Sequence, residues 1–330
     1  MSSAPSREPL RLMQYAPMWG APSLDAECTR VQAWLRFCGL LAGRDYSLED
    51  CGPASTGELP VLAAEGVGLV SGARIDACLC ERGHDPDARL SAAQRAEGAA
   101  FSALVRYPLR LSLAYSWWGE AGNYSAVIRP AYAGSLPFPV GMYLPWIMRR
   151  RANSMLARQQ SAEAEVAYVQ GEEALRQLAA RLGEAHYFFG DAPSSLDAAV
   201  FAYGTAILRC PLPHDRLRVS LKAHPNLVAF CERISADFFG ASAPLLPPTA
   251  APVASEGAAA AGRPSAGPLP AANKEVAAPS AASARTPKQL RFKRRARNAL
   301  LGAAGSALLY MLSTDMLGGA EQAEESDEEE

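Results

Sequence analysis

Gly190-Asp191-Ala192-Pro193-Ser194-Ser195-Leu196-Asp197 is the stretch that decides the fold of this 330-residue chain. The Ser194 side chain is placed to accept a hydrogen bond from the free amides of a helix that starts there. Asp197, three residues later, is placed to accept one from the amide of Ser194. The residues that follow, AAVFAYGTAIL over 198–208, are apolar nearly all round. This pattern predicts a buried helix at the centre of a helical bundle.

Residues 10–85 alternate short apolar runs with one helical pattern. The run from Leu10 to Tyr15 indicates a strand, and Ser23-Leu24-Asp25-Ala26-Glu27 opens a helix whose apolar residues recur at i, i+3 and i+4. A polar run over 45–50 follows, and shorter apolar runs then lead into a second helix at residues 73–80. The predicted order of elements is β-α-β-β-β-α.

Helical periodicity dominates from Leu90 to about Phe239. One long helix is predicted from Leu90 to Tyr115, and one or two more between Met142 and Leu182. Strands followed by helices indicate an α+β protein. The predicted domains are an N-terminal domain over residues 10–85 and an all-helical domain over residues 88–240.

Several short motifs in this region are shared with a known family. They are Trp19-Gly20-Ala21-Pro22-Ser23-Leu24-Asp25, Arg36-Phe37, Gly57-Glu58-Leu59-Pro60, Pro137-Phe138-Pro139, Tyr143-Leu144-Pro145 and the run from His186 to Asp197. A strand-rich domain with Leu59-Pro60-Val61, followed by an all-helical domain with Gly-Asp-x-Pro-Ser-x-x-Asp, resembles the glutathione transferase superfamily. More narrowly, the chain is similar to the metaxins, in particular to their tail-anchored type 1 and type 3 forms.

This resemblance implies a glutathione transferase-like fold with a thioredoxin-like N-terminal domain, in which a cis peptide bond precedes Pro60. It also implies a subunit of the mitochondrial outer-membrane sorting and assembly machinery, which inserts β-barrel precursors, with its head facing the cytosol. The implied partners are a second metaxin, the central barrel protein of that machinery and, for some metaxins, motor adaptors. The alternative is a tail-anchored adaptor that links mitochondria to transport motors or to other membranes.

The C-terminal part of the chain reads as a linker followed by a membrane anchor. Residues 241–287 are dominated by Ala, Pro, Ser and Gly, which predicts a semi-extended, disordered tether. Residues 299–317 form an apolar run of about 19 residues, which as a transmembrane helix is roughly 28 Å long and close to the thickness of the bilayer hydrocarbon. The alternative is a helix that lies on a membrane or packs in a protein core.

The segment 288–330 combines a basic flank, the anchor and an acidic tail. The basic residues are Lys288, Arg291, Lys293, Arg294, Arg295 and Arg297. The anchor residues include Ala299, Leu300, Leu301, Gly302, Ser306, Leu308, Leu309, Tyr310 and Leu312. The cations suit the cytosolic side of a membrane, and the acidic tail is expected to be solvated.

Enzymes of the resembled superfamily need a hydroxyl or thiol just after the first strand and a polar pair after the third strand. Tyr15 falls inside the predicted first strand, where we expect it to fill the core of the sheet, and Cys28 falls inside the first helix rather than at its N-terminus. Val70 stands where an acid or amide usually precedes Ser71, which we expect to cap the next helix. We therefore predict no catalytic residue and no cofactor, with an active glutathione transferase as a further alternative.

Composition restricts the function classes further. The net charge of −2 hides a basic block and an acidic tail that cancel, so the charge balance does not imply nucleic-acid binding. Seven cysteines without a regular spacing are typical of reduced thiols in a cytosol-facing protein. Four scattered histidines predict no metal site, and the N-terminal residues lack the apolar run of a secretory signal.

One aromatic and cationic patch has two interpretations. Trp117, Trp118, the Pro137-Phe138-Pro139 turn and Arg149-Arg150-Arg151 fit a surface that binds a partner. They equally fit a seam between the two domains with a solvated cationic rim.

Overall fold

The computed structural model describes residues 10–50, 59–64, 68–135, 140–159 and 163–240. All of these residues belong to one compact unit, Met1–Val253. The predicted linker, basic flank, membrane anchor and acidic tail lie outside the described residues, as does the Pro137-Phe138-Pro139 turn. Within the described ranges, no helix has the length and apolar character needed to cross a membrane.

Four strands form a mixed sheet near the N-terminus. They are β1 (Leu10–Gln14), β2 (Tyr46–Asp50), β3 (Val61–Ala64) and β4 (Gly68–Ser71), in the order β2-β1-β3-β4. β1 runs parallel to β2 and antiparallel to β3, which pairs antiparallel with β4. The polar run over 45–50 is therefore largely an edge strand, and the peptide bond between Leu59 and Pro60, just before β3, is cis.

Two helices cover one face of this sheet, α1 (Ala26–Phe37) and α2 (Ala73–Glu81). The Asp25 side chain caps α1 by accepting a hydrogen bond from the Cys28 amide at 3.1 Å. Alternation along β1 directs Leu10 and Leu12 to the covered face, because successive strand residues point to opposite sides. There they join a buried apolar core with residues of the other strands and both helices, including Val31, Leu35, Tyr46, Leu62, Val70, Ile75 and Leu79. The predicted order β-α-β-β-β-α is confirmed.

The second half of the unit is helical. Its helices are α3 (Ala92–Leu104), α4 (Arg110–Ala114), α5 (Ala121–Asn123), α6 (Arg129–Gly134), α7 (Val140–Arg158), α8 (Ala164–Leu182), α9 (Ser195–Arg209), α10 (Arg216–Lys222) and α11 (Pro225–Phe239). Wider π-helical turns at Val105–Leu109, Tyr115–Gly119 and Tyr124–Ile128 join the first of them. The interval from Met142 to Leu182 thus holds parts of two helices, α7 and α8.

The helix predicted from Leu90 to Tyr115 differs in detail from the structure. It begins at Ala92, because Ser91 and Gln94 form a capping box there. It continues past Tyr115 to Gly119 with two π turns, the first of which contains Pro108. Proline has no N–H for the helical ladder, and a wider turn is a common way to accommodate such a break.

α9 is the central helix of the helical half, and all its residues from Leu196 to Arg209 are buried. The capping box that the sequence predicts is present at its start. The Ser194 hydroxyl accepts a hydrogen bond from the Asp197 amide, and the Asp197 carboxylate accepts one from the Ser194 amide at 2.8 Å. The same carboxylate also accepts a hydrogen bond from the Phe188 amide at 3.1 Å, which fixes the preceding loop to the helix.

The two halves share one apolar core, because α1 packs along α9. Tyr15, Leu24 and Cys28 from the first half belong to the same buried cluster as the residues of α9. Across the boundary between the halves, the Asp87 carboxylate accepts hydrogen bonds from the amide and the hydroxyl of Ser195 at 2.8 and 2.5 Å. The predicted domains therefore lie within one compact unit.

A close crossing of α8 over α4 gives a test of the packing. A methyl group on Gly171 would overlap the side chain of Ser112, which is fully buried. Gly171→Ala is expected to lower the free energy of unfolding by about 1–3 kcal/mol in urea titrations, although alanine is the better helix former. Gly134→Ala, near the end of α6 where an added methyl meets no atom, should not lower it. Equal stability of the two variants would contradict the close crossing.

Candidate functional site

A cavity of about 380 Å³ lies between the two halves of the compact unit. This volume falls in the range of small-molecule pockets. The first half contributes Tyr15 and the acidic start of α1, Asp25 and Glu27. The helical half contributes aromatic, methionine and arginine side chains from α4, the π turn after it, α6, α7 and α9. Acidic groups and aromatic rings therefore face the same space.

Asp25 and Glu27 form the acidic part of the cavity wall, and they have different partners. Glu27 forms an ion pair with Arg30 at 2.8 Å and accepts a hydrogen bond from the hydroxyl of Tyr203 at 2.8 Å. Arg30 is buried and also pairs with Asp76 of α2 at 3.0 Å. In the described part of the chain, Asp25 makes no ion pair.

The pKa values of these two carboxyl groups move in opposite directions. Burial, together with the nearby charge of Glu27, raises the pKa of Asp25 from 3.8 to about 6. Burial also acts to raise the pKa of Glu27, but the charge and hydrogen bond of Arg30 and the hydrogen bond from Tyr203 lower it overall. The cavity wall thus holds one ionised carboxylate and one carboxyl that exchanges its proton in mildly acidic solution.

Asp25→Asn is expected to change how stability depends on pH. Between about pH 4 and 6 the folded protein binds more protons at Asp25 than the unfolded chain does, so this group destabilises the fold as the pH rises through that window. Asparagine keeps the helix cap and removes the charge. The variant should gain about 1–3 kcal/mol in free energy of unfolding at pH 7.5 and little at pH 4, measured by urea titration.

Asp45→Asn is the matched control for this prediction. The hydrogen bond from Arg44 lowers the pKa of Asp45, so its loss should not stabilise the protein at pH 7.5. A gain of equal size in both variants would contradict a raised pKa at Asp25.

The aromatic part of the wall contains contacts between neighbouring rings. The ring centre of Tyr132 lies 5.2 Å from that of Tyr15 and 5.1 Å from that of Trp118. Trp117 is only 4% exposed, and its Nε1–H is buried without an acceptor in the described residues. A buried donor without a partner is costly.

The sequence patterns indicate Tyr15, Trp117, Trp118 and Arg151 separately, but they do not bring them together in one cavity. The sequence pattern places Asp25 and Glu27 only at the start of a helix. Two acidic residues within one turn of a buried segment are, however, a signal of a functional site. Tyr203 also indicates a site, because a hydroxyl group on a fully buried helix needs a hydrogen-bond partner. Arg110 and Tyr132 follow no local pattern that distinguishes them from other residues of the helical half.

The structure corrects the expectation for Tyr15. β1 ends at Gln14, so Tyr15 lies just beyond the strand and lines the cavity, and the prediction that it fills the core of the sheet is wrong. Burial, with the charges of Asp25 and Cys28, raises the pKa of the Tyr15 phenol. The phenol is therefore protonated at neutral pH and is not an activated nucleophile.

Two further corrections concern the candidate thiol and hydroxyl. Cys28 lies in the first turn of α1, because the helix begins at Ala26 and not at Ser23 as the sequence suggested. Burial and the charge of Asp25 nevertheless raise the pKa of Cys28, which opposes thiolate formation. Ser71 is exposed at the end of β4 and does not cap α2, whose cap position is Gly72.

The aromatic patch of the sequence analysis divides in two. Trp117 and Trp118 are buried, and the ring centre of Trp117 lies 6.3 Å from that of Trp19, so the interpretation as a partner surface is wrong for these two residues. Arg149 lies over the ring of Tyr124 and donates a hydrogen bond to the Trp118 carbonyl at 2.9 Å. These residues pack within the unit, whereas Arg150 and Arg151 are exposed.

The thiols of the described ranges form no disulfide and belong to no cluster of possible metal ligands. The six cysteines described there are all free thiols, and Cys28, Cys78, Cys210 and Cys231 are buried. In the same ranges, no three His, Cys, Asp or Glu side chains converge as they do around a metal ion.

A sheet in the order β2-β1-β3-β4 with a cis proline before β3, followed by a bundle around one central helix, defines a glutathione transferase-like fold. Residues 171–234 match a family model described as "Glutathione S-transferase, C-terminal domain". Residues 28–149 match one described as "Outer mitochondrial membrane transport complex protein". Among solved structures, a glutathione S-transferase of Ceriporiopsis subvermispora in complex with glutathione is similar, with 14% identity, a TM-score of 0.48, and coverage of 69% of this chain and 98% of that chain.

Curated relatives give the narrower assignment. The chain is 33% identical to Metaxin-1 of Bos taurus over 257 residues, which cover 74% of this chain and 80% of that protein. It is 30% identical to Metaxin-3 of Danio rerio over 241 residues, which cover 70% of this chain and 76% of that protein. The chain belongs to the metaxin family.

Proposed function

We propose that this chain is a non-enzymatic subunit of the outer mitochondrial membrane sorting and assembly machinery, where it supports the import and insertion of β-barrel precursors. The observation that carries this proposal is membership of the metaxin family together with the match of residues 28–149 to an outer mitochondrial membrane transport complex model. The partners proposed are a second metaxin and the central barrel protein of that machinery.

A non-enzymatic role is supported by the chemistry of the cavity. Burial raises the pKa values of Tyr15 and Cys28, two potential nucleophiles near the start of α1. Ser71 is exposed at the far edge strand, and Val70 beside it offers no polar side chain. The polar pair that the resembled enzymes need is therefore incomplete at Val70.

The location that we propose is the mitochondrial outer membrane, with the described unit in the cytosol. The apolar run over 299–317 is the proposed anchor, and the cations over 288–297 suit its cytosolic end. In this arrangement the linker over 241–287 joins the folded unit to the anchor.

Native electrophoresis of gently solubilised mitochondria tests the proposal. The full-length chain should migrate with the barrel-assembly complex, and its depletion should reduce the insertion of newly made β-barrel proteins. A version that ends at Pro287 separates the two contacts: it joins the complex if the folded unit makes the contact, and stays soluble if the anchor does. The anchor segment fused to an unrelated soluble domain is the matched control.

Two results would contradict the proposal. If the full-length chain stays apart from the complex and β-barrel insertion is unaffected by its depletion, the assembly role is wrong. If the chain is retained on immobilised glutathione and conjugates it to an electrophile, the non-enzymatic role is wrong.

A further inference from the structure

The helical hairpin formed by α6 and α7 carries a concentrated positive charge. No acidic residue occurs between Glu120 and Glu163, and this interval contains five arginines. They are Arg129, Arg149, Arg150, Arg151 and Arg158. All except Arg149 are exposed, and in the described part of the chain none of the five forms an ion pair. We call α6 and α7 together the basic hairpin.

The basic hairpin also exposes large apolar side chains. Met142 is 64% exposed and Trp146 is 50% exposed, one turn apart on α7. Arg150 follows one turn later, and its guanidinium lies 5.9 Å from the centre of the Trp146 ring. Residues at i, i+4 and i+8 lie along one side of a helix. Methionine, indole and guanidinium therefore form one outward-facing stripe.

The stripe is separate from the cavity, although α7 contributes to both. Met148, Arg151 and Met155 line the cavity, while Leu144 and Ile147 are buried among the other helices. Met142 and Trp146 line no part of the cavity. The inward side of α7 thus packs the helix against the rest of the fold. The outward stripe of Met142, Trp146 and Arg150 has no role in that packing.

We propose that the basic hairpin docks on an anionic lipid surface, with Trp146 and Met142 in the headgroup layer and the exposed arginines against lipid phosphates. Arg129, Arg150 and Arg158, the exposed arginines of the basic hairpin that do not line the cavity, are each attracted to such a surface at low salt. Tryptophan is enriched at this depth of a membrane because its ring is apolar and its N–H is polar. Charge complementarity thus identifies the partner, because nothing acidic on the hairpin opposes the contact.

The predicted anchor makes a weak contact of this kind sufficient. With the composition of a disordered tether, the 47 residues of the range 241–287 have a predicted root-mean-square reach of about 35–40 Å. A unit held at that distance meets the bilayer at a high effective concentration. The basic hairpin therefore needs only to orient the unit on the membrane and not to recruit it. The docking rests on the proposed anchor but needs lipid alone and no protein partner, so vesicles test it separately from the proposed role in barrel assembly.

Tryptophan fluorescence of the full-length chain on vesicles tests this docking. The predicted anchor contains no tryptophan, and Trp34, Trp117 and Trp118 are buried, so Trp146 is the indole best placed to meet lipid. Vesicles of phosphatidylcholine, alone or with about a third of phosphatidylglycerol, carry bromine on their acyl chains as a quencher. For protein recovered with the vesicles by flotation, the anionic vesicles should quench part of the tryptophan fluorescence. Trp146→Phe should reduce this quenched part by at least half.

Two arginine variants complete the experiment. Arg150→Gln combined with Arg158→Gln should reduce the quenching on anionic vesicles at least twofold, as should 0.5 M salt, which shortens the Debye length to about 4 Å. Arg176→Gln, on α8 outside the basic hairpin, should leave it unchanged. The docking is overturned if wild type and Trp146→Phe are quenched equally, if neutral and anionic vesicles give the same result, or if Trp146 is shielded only when an acidic protein is added.

Discussion

Asp197→Ala is expected to lower the free energy of unfolding by about 3–5 kcal/mol, a large part of the 5–15 kcal/mol that stabilises a typical domain. The Asp197 carboxylate is fully buried and accepts hydrogen bonds from the amides of Phe188 and Ser194 and from the Ser194 hydroxyl, at 3.1, 2.8 and 2.5 Å. Alanine leaves these donors without an acceptor at the start of the central helix. Urea titration followed by circular dichroism measures the loss.

The capping box of α3 supplies the matched control. Ser91 and Gln94 make the same local hydrogen bonds as Ser194 and Asp197, but at an exposed helix end. Ser91→Ala should cost only about 1 kcal/mol, because water replaces the lost bonds. If Asp197→Ala costs no more than Ser91→Ala, then the buried position of the second box adds nothing to stability and our account of it is wrong.

Arg30→Met is expected to lower the free energy of unfolding by about 2–4 kcal/mol. Its guanidinium is buried between Glu27 and Asp76, and removing one partner of a buried ion network leaves the other charges uncompensated. The change also removes the group that holds the pKa of Glu27 below its usual value. Glu27 then no longer stabilises the fold above pH 4.5, so the difference from wild type should be greatest at neutral pH and shrink in acid.

Arg176→Met tests whether burial is the cause. Arg176 pairs with Glu173 at the same three-residue spacing and a distance of 2.5 Å, but on the exposed side of α8. Exposed pairs contribute little to stability, so this variant should unfold at the same urea concentration as wild type. A large loss in both variants, or a loss at Arg30 that disappears in 0.5 M salt, would contradict a buried network.

The elements that the sequence predicted well are those defined by local patterns. α9 and its capping box depend on eight consecutive residues and an apolar run, and the structure has both where they were expected. β2 is harder to predict, because the polar composition of this edge strand does not by itself indicate a strand. Its pairing with β1 makes it one. The continuation of the helix through Pro108 was also not apparent, since prolines usually end helices.

The cavity could not be predicted from the sequence, because its wall is formed by residues that are far apart in the chain. Glu27 and Tyr203 are 176 positions apart, and only the packing of α1 on α9 brings them together. The prediction for Tyr15 failed by one residue, because the end of a strand decides whether a side chain enters the sheet core or the space beside it. Family resemblance gave the fold, but the pKa contrast between Asp25 and Glu27 depends on contacts that no motif records.

The packing of α1 against α9 has a consequence for synthesis on the ribosome. α1 is complete at Phe37, but the helix that covers its outer side is not complete until Arg209. At 5–20 residues per second, the ribosome needs about 10–30 s to make the intervening chain. During that interval Leu24, Cys28 and their apolar neighbours have no native partner from the helical half. The nascent chain is therefore expected to be a client of cytosolic chaperones for as long as the ribosome takes to reach α9.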